Sequence, residues 1–213
     1  MIGFIQLAGI ALDECRSCGK TFMGVGQGYI CSACIDEINP HVPMDYSQKF
    51  EFISQYSIFG LYEGPLKDAL LCLKFEGARH LAKVIAERIN SHFWEFVSSV
   101  EPDIISLAPI NLRRLWTRGF NQVEEILKHL GVQPMSLVSR RDFKGPLARY
   151  DASQRVMIVS GFKLRQNVVD LVDGKKVLLV DDILTTGSTI NKLSELLMSV
   201  GTSEVFAYFI SKA

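Results

Sequence analysis

Two consecutive carboxylates followed by a run of hydroxyls make the stretch from Val177 to Thr189, VLLVDDILTTGST, the part of this chain with the most chemistry in it. Val177 to Val180 form an unbroken apolar run, as expected of a parallel strand whose two faces are both covered by helices. Asp181 and Asp182 then fall at the strand's carboxyl end, the edge where open α/β sheets bind ligands. Beyond them Thr185, Thr186, Gly187, Ser188 and Thr189 can aim hydroxyls and backbone N–H groups at one phosphate, and the helix that follows adds its positive end. An ordinary capped strand-to-helix turn accounts for one acid and one hydroxyl. It does not account for a second acid followed by four hydroxyls and a glycine.

A different chemistry sits near the other end. Cys15, Cys18, Cys31 and Cys34 form two CxxC pairs separated by twelve residues, the spacing of a zinc ribbon in which four thiolates close a tetrahedral shell. Gly24, Gly26 and Gly28 are expected to turn the segment between the pairs as a hairpin. A closed four-sulfur shell leaves no position for water or substrate, so the expected metal is structural. Four cysteines confined to 20 residues of a 213-residue chain do not look like the framework of a stapled secreted domain. Cys72, on an apolar helical stretch, reads as core. The four histidines, His41, His80, His92 and His129, are scattered and not needed as ligands.

With 48% apolar residues, the chain can bury one sizeable core and carry a small metal-stabilised appendage. The expected division is a ribbon over 1–45 and an α/β domain over 46–213. No apolar run reaches the ~18 residues that would span a bilayer. Ile2 to Leu12 is apolar but has no basic start or cleavage pattern, so it reads as a packing helix. Unoxidised CxxC pairs favour a reducing cytoplasm. The 23 basic and 23 acidic residues balance, but not locally. From Arg113 to Arg155 nine Lys or Arg face four acids, which can gather anions on one face.

The elements that must position these groups alternate. A strand is expected over 52–62, and Gly64-Pro65 opens a helix to about Phe75, with proline in the first turn where it is tolerated. A second helix runs from about Ala78 to Phe96 with Leu81, Val84, Ile85, Ile89 and Phe93 on one side. A strand follows over 104–108. Asn121 caps a helix to Leu130, with Glu124 placed as in a capping box. A short strand at Leu137-Val138 and another over 156–162 flank a basic loop, 139–155. After the acid pair, Ile190, Leu193, Leu196, Leu197 and Val200 share a helical face that Gly201 ends, and a strand over 205–210 closes the sheet. Alternation of this kind predicts a doubly wound parallel sheet flanked by helices, with the 109–122 loop and the acid-pair loop facing each other across its carboxyl edge.

The acid pair and its loop resemble the 5-phosphoribosyl 1-diphosphate (PRPP) motif of type I phosphoribosyltransferases. That resemblance implies Asp181 and Asp182 on the ribose hydroxyls and residues 185–189 on the 5′-phosphate. Together with PINLRRLWTRGFNQ (Pro109 to Gln122), YEGPLKDALLCLKFEG and the leading four-cysteine ribbon, it makes nearly the whole chain similar to the ComF/GntX-like family of competence-associated phosphoribosyltransferase-like proteins. The resemblance implies a type I phosphoribosyltransferase fold behind a zinc finger, with members that handle incoming single-stranded DNA during natural transformation in the bacterial cytoplasm. It implies Arg113 or Arg114 near the diphosphate, Arg118 on the same basic rim, and magnesium bridging diphosphate and ribose oxygens. The chain departs from the family at GPLARYDASQR (Gly145 to Arg155) and, three residues beyond, at Ile158, which stands in place of an expected Asn.

Two classes of function follow. In one, the acid pair and loop hold PRPP, magnesium and Arg113 or Arg114 neutralise the departing diphosphate, and a nitrogenous acceptor attacks the anomeric carbon. In the other, favoured here, the protein is a nucleic-acid handler whose retained site binds PRPP or a DNA 5′-phosphate. Arg113, Arg114, Arg118, Arg140, Arg141 and Lys144 would then track a single strand, Trp116, Phe120 or Phe143 would be available for stacking, and other competence or DNA-processing proteins would be partners. A PRPP-sensing regulator lies between the two.

Overall fold

The computed structural model describes residues 12–23, 29–40, 50–109, 119–140, 158–159 and 161–213. The expected N-terminal packing helix, the Gly24–Gly28 turn, Arg113, Arg114, Trp116, Arg118, Arg141, Phe143, Lys144 and Arg155 lie outside these.

Among the described residues, four parallel strands form the main sheet, in the order β3 (Gln55–Leu61), β9 (Glu204–Lys212), β8 (Lys176–Leu184), β4 (Ile104–Leu107). The expected parallel sheet is present, but the last strand does not close it: β9 lies between β3 and β8. Its run from Val205 to Ile210 is buried throughout, as an interior strand between two helical layers requires.

Alternation along β8 divides the core. Leu178 and Val180 pack with Phe206, Tyr208 and Ile210 on one face, against α2 (Gly64–Phe75) and α3 (His80–Val100). Val177 and Leu179 pack with Val205, Ala207 and Phe209 on the other, against α6 (Ser188–Met198). In α3 the anticipated Leu81, Ile85, Ile89 and Phe93 are all buried. In α6 the buried face is Ile190, Leu193, Leu196 and Leu197.

The segment after the basic loop differs from the single strand expected over 156–162. It is a hairpin, β6 (Ile158–Val159) and β7 (Phe162–Leu164), paired with β5 (Val138–Arg140) in a separate three-stranded antiparallel sheet. Gly161 falls between the hairpin's two strands. The five-residue α5 (Val168–Val172) was not foreseen, being too short to show a period. Gly201, past α6, has φ +94, and a Cβ there would lie 2.3 Å from Asp173 Oδ1. Gly201→Ala should therefore lower stability by about 1–3 kcal/mol, read as a shift in the denaturant midpoint.

The cysteine segment is docked on this core. β1 (Leu12–Glu14) and β2 (Thr21–Met23) pair antiparallel and flank the first CxxC. The described hairpin thus surrounds one knuckle, while the turn expected at Gly24–Gly28 to join the two lies outside the described residues. The short α1 (Ser32–Asp36) begins just after Cys31. Cys15, Ile30, Cys31, Cys34 and Ile38 belong to the same apolar cluster as Leu66, Leu70, Leu81 and Ile85. Among the described residues no helix is long and apolar enough to cross a membrane.

Candidate functional site

β8 runs through the acid pair to Leu184 in register with β9, so Asp181 and Asp182 sit within its last turn of pleat. The alternation that divides the core also divides the acids. Asp182 follows Val180 toward the side of α2 and α3, while Asp181 follows Leu179 toward the side of α6.

Asp182 is buried and engaged through one oxygen. Its Oδ2 lies 2.9 Å from Lys74 Nζ, from the last turn of α2, and accepts a hydrogen bond from Gln122 Nε2 at 2.8 Å. Gln122 opens α4 (Gln122–His129), whose N-cap Asn121 accepts from the Val123 and Glu124 N–H groups. The full capping box does not form, because the Glu124 carboxylate turns to Lys128 at 2.9 Å. Burial alone would raise the Asp182 carboxyl, but Lys74 and the Gln122 amide outweigh it and hold it below the ordinary carboxylate range. Among the described residues Asp181 has no such counter-ion. Burial, then the neighbouring Asp182 charge, push it up to about 7, although its Oδ1 accepts the Asp182 N–H at 2.9 Å. The pair thus consists of one carboxylate already neutralised by the protein and one carboxyl that lacks a cation or donor partner of that strength.

Past β8, Thr185, Thr186 and Ser188 are exposed. Gly187 is the N-cap of α6 with φ 69, a left-handed conformation that glycine adopts without strain. The Ser188 N–H points back to Thr186 Oγ1 at 3.4 Å, so hydroxyls and first-turn N–H groups gather at the positive end of an eleven-residue helix.

Of the basic residues, Arg140 alone is described. It is exposed on β5, its guanidinium 5.9 Å from the Phe162 ring centroid. With Arg165 it lines a cleft of about 200 Å³ that also reaches Pro109, Asn121, Glu124 and Ser139, beside the end of β4. Phe120 is not available for stacking. It is buried, and the Arg79 guanidinium covers it 4.5 Å from the ring centroid.

Sequence reasoning missed Lys74 and Gln122 as parts of this site. Both lay in stretches already singled out, YEGPLKDALLCLKFEG and RGFNQ, and Gln122 is the residue that ties the second loop to the acid pair.

The four thiols converge. All their Sγ atoms lie within 4.8 Å of one another, with Cys15–Cys34 at 3.7 Å and Cys18–Cys31 at 3.8 Å. A tetrahedron with Zn–S bonds of about 2.3 Å has edges of about 3.8 Å, so the donor set fits zinc. Burial raises the Cys15 thiol, but the Cys31, Cys18 and Ser17 backbone N–H groups outweigh it and bring it down to about 6. Burial and the adjacent sulfurs push Cys34 up. A divalent cation is the group that would let all four ionise together. Cys72 is buried core as expected, its thiol pushed up to about 11 chiefly by burial.

Comparison with known proteins agrees with this geometry. The phosphoribosyl transferase domain family matches residues 117–211, which include Gln122, the acid pair and the hydroxyl loop. Competence protein ComFC of Streptococcus pneumoniae is 29% identical over 90% of this chain and 84% of its own length. Competence protein F of Haemophilus influenzae is 25% identical over 73% of this chain and 72% of its own length. The DNA utilization protein YhgH of Escherichia coli is 29% identical over 68% of this chain, which spans 66% of that protein. With its phosphoribosyltransferase-type sheet, its engaged acid pair and its four convergent cysteines, the chain belongs to the ComF-like family.

Proposed function

We propose that this protein binds PRPP at the acid pair and hydroxyl loop and handles single-stranded DNA during natural transformation. The observation that carries the phosphoribosyl half is the division of labour within the pair. Asp182 is held ionised by Lys74, while Asp181, with its raised carboxyl, stands a few residues before an exposed hydroxyl turn at the start of α6. In this reading Asp181 and Asp182 receive the ribose hydroxyls, and Thr185, Thr186, Gly187, Ser188 and Thr189 hold the 5′-phosphate. Magnesium, when bound with the ligand, supplies charge to the diphosphate, and Asp181 is the carboxyl whose chemistry fits a hydrated cation or a hydroxyl donor. Arg113 or Arg114 would neutralise charge on the diphosphate. Zinc on the four cysteines is structural.

The DNA half draws on the names of the relatives, two called competence proteins and one a DNA utilization protein, and on the basic surplus between Arg113 and Arg155. In this reading Arg113, Arg114, Arg118, Arg140, Arg141 and Lys144 would track the single strand. Single-strand affinity should fall with salt by a slope of about −0.7 per phosphate neutralised. Arg140→Ala, Arg141→Ala and Lys144→Ala combined should flatten that slope by about 2 and weaken all sequences alike, since phosphate contacts position a strand without reading it. Fluorescence anisotropy across a salt series tests this. No salt-sensitive binding by the wild type at low ionic strength would remove the DNA half.

An active phosphoribosyltransferase is the second reading, favoured by the domain match over residues 117–211, which takes in the acid pair, the hydroxyl loop and the end of the 109–122 loop. Diphosphate release from PRPP and magnesium with a panel of nitrogenous acceptors separates it from a handler or sensor.

A further inference from the structure

The acid pair and the cysteine knuckle are joined by one helical turn. Lys74, which reaches Asp182 at 2.9 Å, stands two residues before Glu76, the C-cap of α2. Glu76 is gripped from the knuckle side at two points. Its Oε2 is 3.0 Å from Arg16 Nη2, and its backbone carbonyl accepts the Tyr29 hydroxyl at 3.3 Å. Arg16 lies between Cys15 and Cys18, and its N–H donates to Tyr29 O at 2.8 Å. Tyr29 also stacks on His80 at the start of α3, ring centroids 5.9 Å apart. The Glu76 and Ala78 N–H groups both close onto Cys72 O, and Cys72 is buried in the cluster that holds Cys15, Cys31 and Cys34. The turn that delivers Lys74 is therefore clamped to the segment the four cysteines fold.

We infer that Lys74 is the positioning residue of the acid-pair site and that the metal-folded knuckle holds it there, so that metal and phosphorylated ribose bind cooperatively. Lys74 keeps Asp182 ionised and fixed; a knuckle that loosens lets the α2 end fray and leaves two carboxyls competing for one proton. The clamp is an exposed ion pair plus one side chain–carbonyl bond, so the coupling is modest, and linkage makes it reciprocal. The ligand identity rests on the proposed function; the mechanical link does not.

The test leaves the cysteines and acids intact. Arg16→Ala/Tyr29→Phe should retain one zinc per chain and bind PRPP–magnesium about five-fold more weakly than wild type. Lys74→Met should weaken it more, with Lys74→Arg restoring most of the loss. Adding the Arg16/Tyr29 changes to Lys74→Met should cost nothing further, because both act through the same contact. In the reciprocal experiment, saturating PRPP–magnesium should slow zinc release to a chelator about five-fold in wild type and not in Arg16→Ala/Tyr29→Phe. Additive losses, or equal release rates with and without ligand in a wild type that binds PRPP, would overturn the coupling. If wild type binds no PRPP, the reading of the ligand is lost. The link is then decided by amide exchange at 72–78 and 181–184, which must quicken in Arg16→Ala/Tyr29→Phe, and unchanged exchange there overturns it.

Discussion

Asp181→Asn should weaken PRPP binding by at least about 100-fold while making the protein more stable than wild type, by a little at pH 5 and by more at pH 8. The two effects come from one fact, the raised carboxyl at 181. A group whose folded pKa stands above its unfolded value binds more protons in the native state, so its contribution to stability declines as pH rises through that window. For Asp181 the window runs from its ordinary range near 4 up to about 7, and above it the native state carries the cost of an ionised, half-buried acid beside another. Asparagine keeps the shape and removes the cost. Asp182→Asn should behave in the opposite way. Its carboxyl is held below the ordinary range, so it stabilises above that range and stops doing so in acid. Neutralising it strands Lys74, whose side chain is only 16% exposed, at a cost of about 3 kcal/mol. Calorimetric titration with PRPP–magnesium reads the binding loss in both variants, and denaturant melts at pH 5 and pH 8 read the opposite stability signs. Unchanged affinity in Asp181→Asn would reduce the motif to a strand-to-helix turn. The expected pattern, binding lost and stability gained, is that of a residue kept for a ligand at the expense of the fold.

What made Asp181 and Asp182 legible in the sequence is that a buried parallel strand announces its own end. Four apolar residues, then charge, fixes the carboxyl edge, and the helix after the hydroxyl turn follows from Ile190, Leu193, Leu196 and Leu197. Lys74 was not legible as a site residue. It belongs to an amphipathic helix, where a lysine in the last turn reads as an ordinary favourable charge at the helix's negative end. Only the packing of α2 on the sheet shows that it reaches a residue 108 positions later in the chain. Gln122 was quoted as part of a motif, yet nothing local tells a first-turn Gln that caps from one that crosses to another strand. The placement of β9 between β3 and β8 escaped for a similar reason, since strand order is a property of long-range pairing. The cysteine spacing specified four convergent sulfurs, because a CxxC knuckle is a local structure. It did not specify that the knuckle would share a core with α2 and α3.

That shared core changes what loss of the metal should do. Seen as an appendage, the first ~40 residues would unfold alone in Cys31→Ser, with the sheet unaffected. Cys31 and Cys34, however, are buried against the cluster of Leu66, Leu70, Leu81 and Ile85, and Arg88 on α3 pairs with Asp36 on α1. Structural zinc contributes roughly 10–16 kcal/mol of binding free energy in small peptides, comparable with the ~5–15 kcal/mol total stability of a domain, so its removal cannot be silent in a segment that covers two helices. Cys31→Ser should lose the zinc, of which wild type should hold one per chain, and lower the melting temperature by about 10 °C. Amide exchange should quicken in residues 12–40 and also at the α2 end, 72–78. The opposite face of the sheet, Leu179, Val205 and Ala207 under α6, belongs to a separate apolar cluster from the cysteines and should keep its protection. Metal analysis, a thermal melt and exchange on the same sample test this together. Full zinc content in Cys31→Ser would sink the four-sulfur assignment. Zinc loss with fast exchange confined to 12–40 would restore the appendage and sever the knuckle from the helix that carries Lys74.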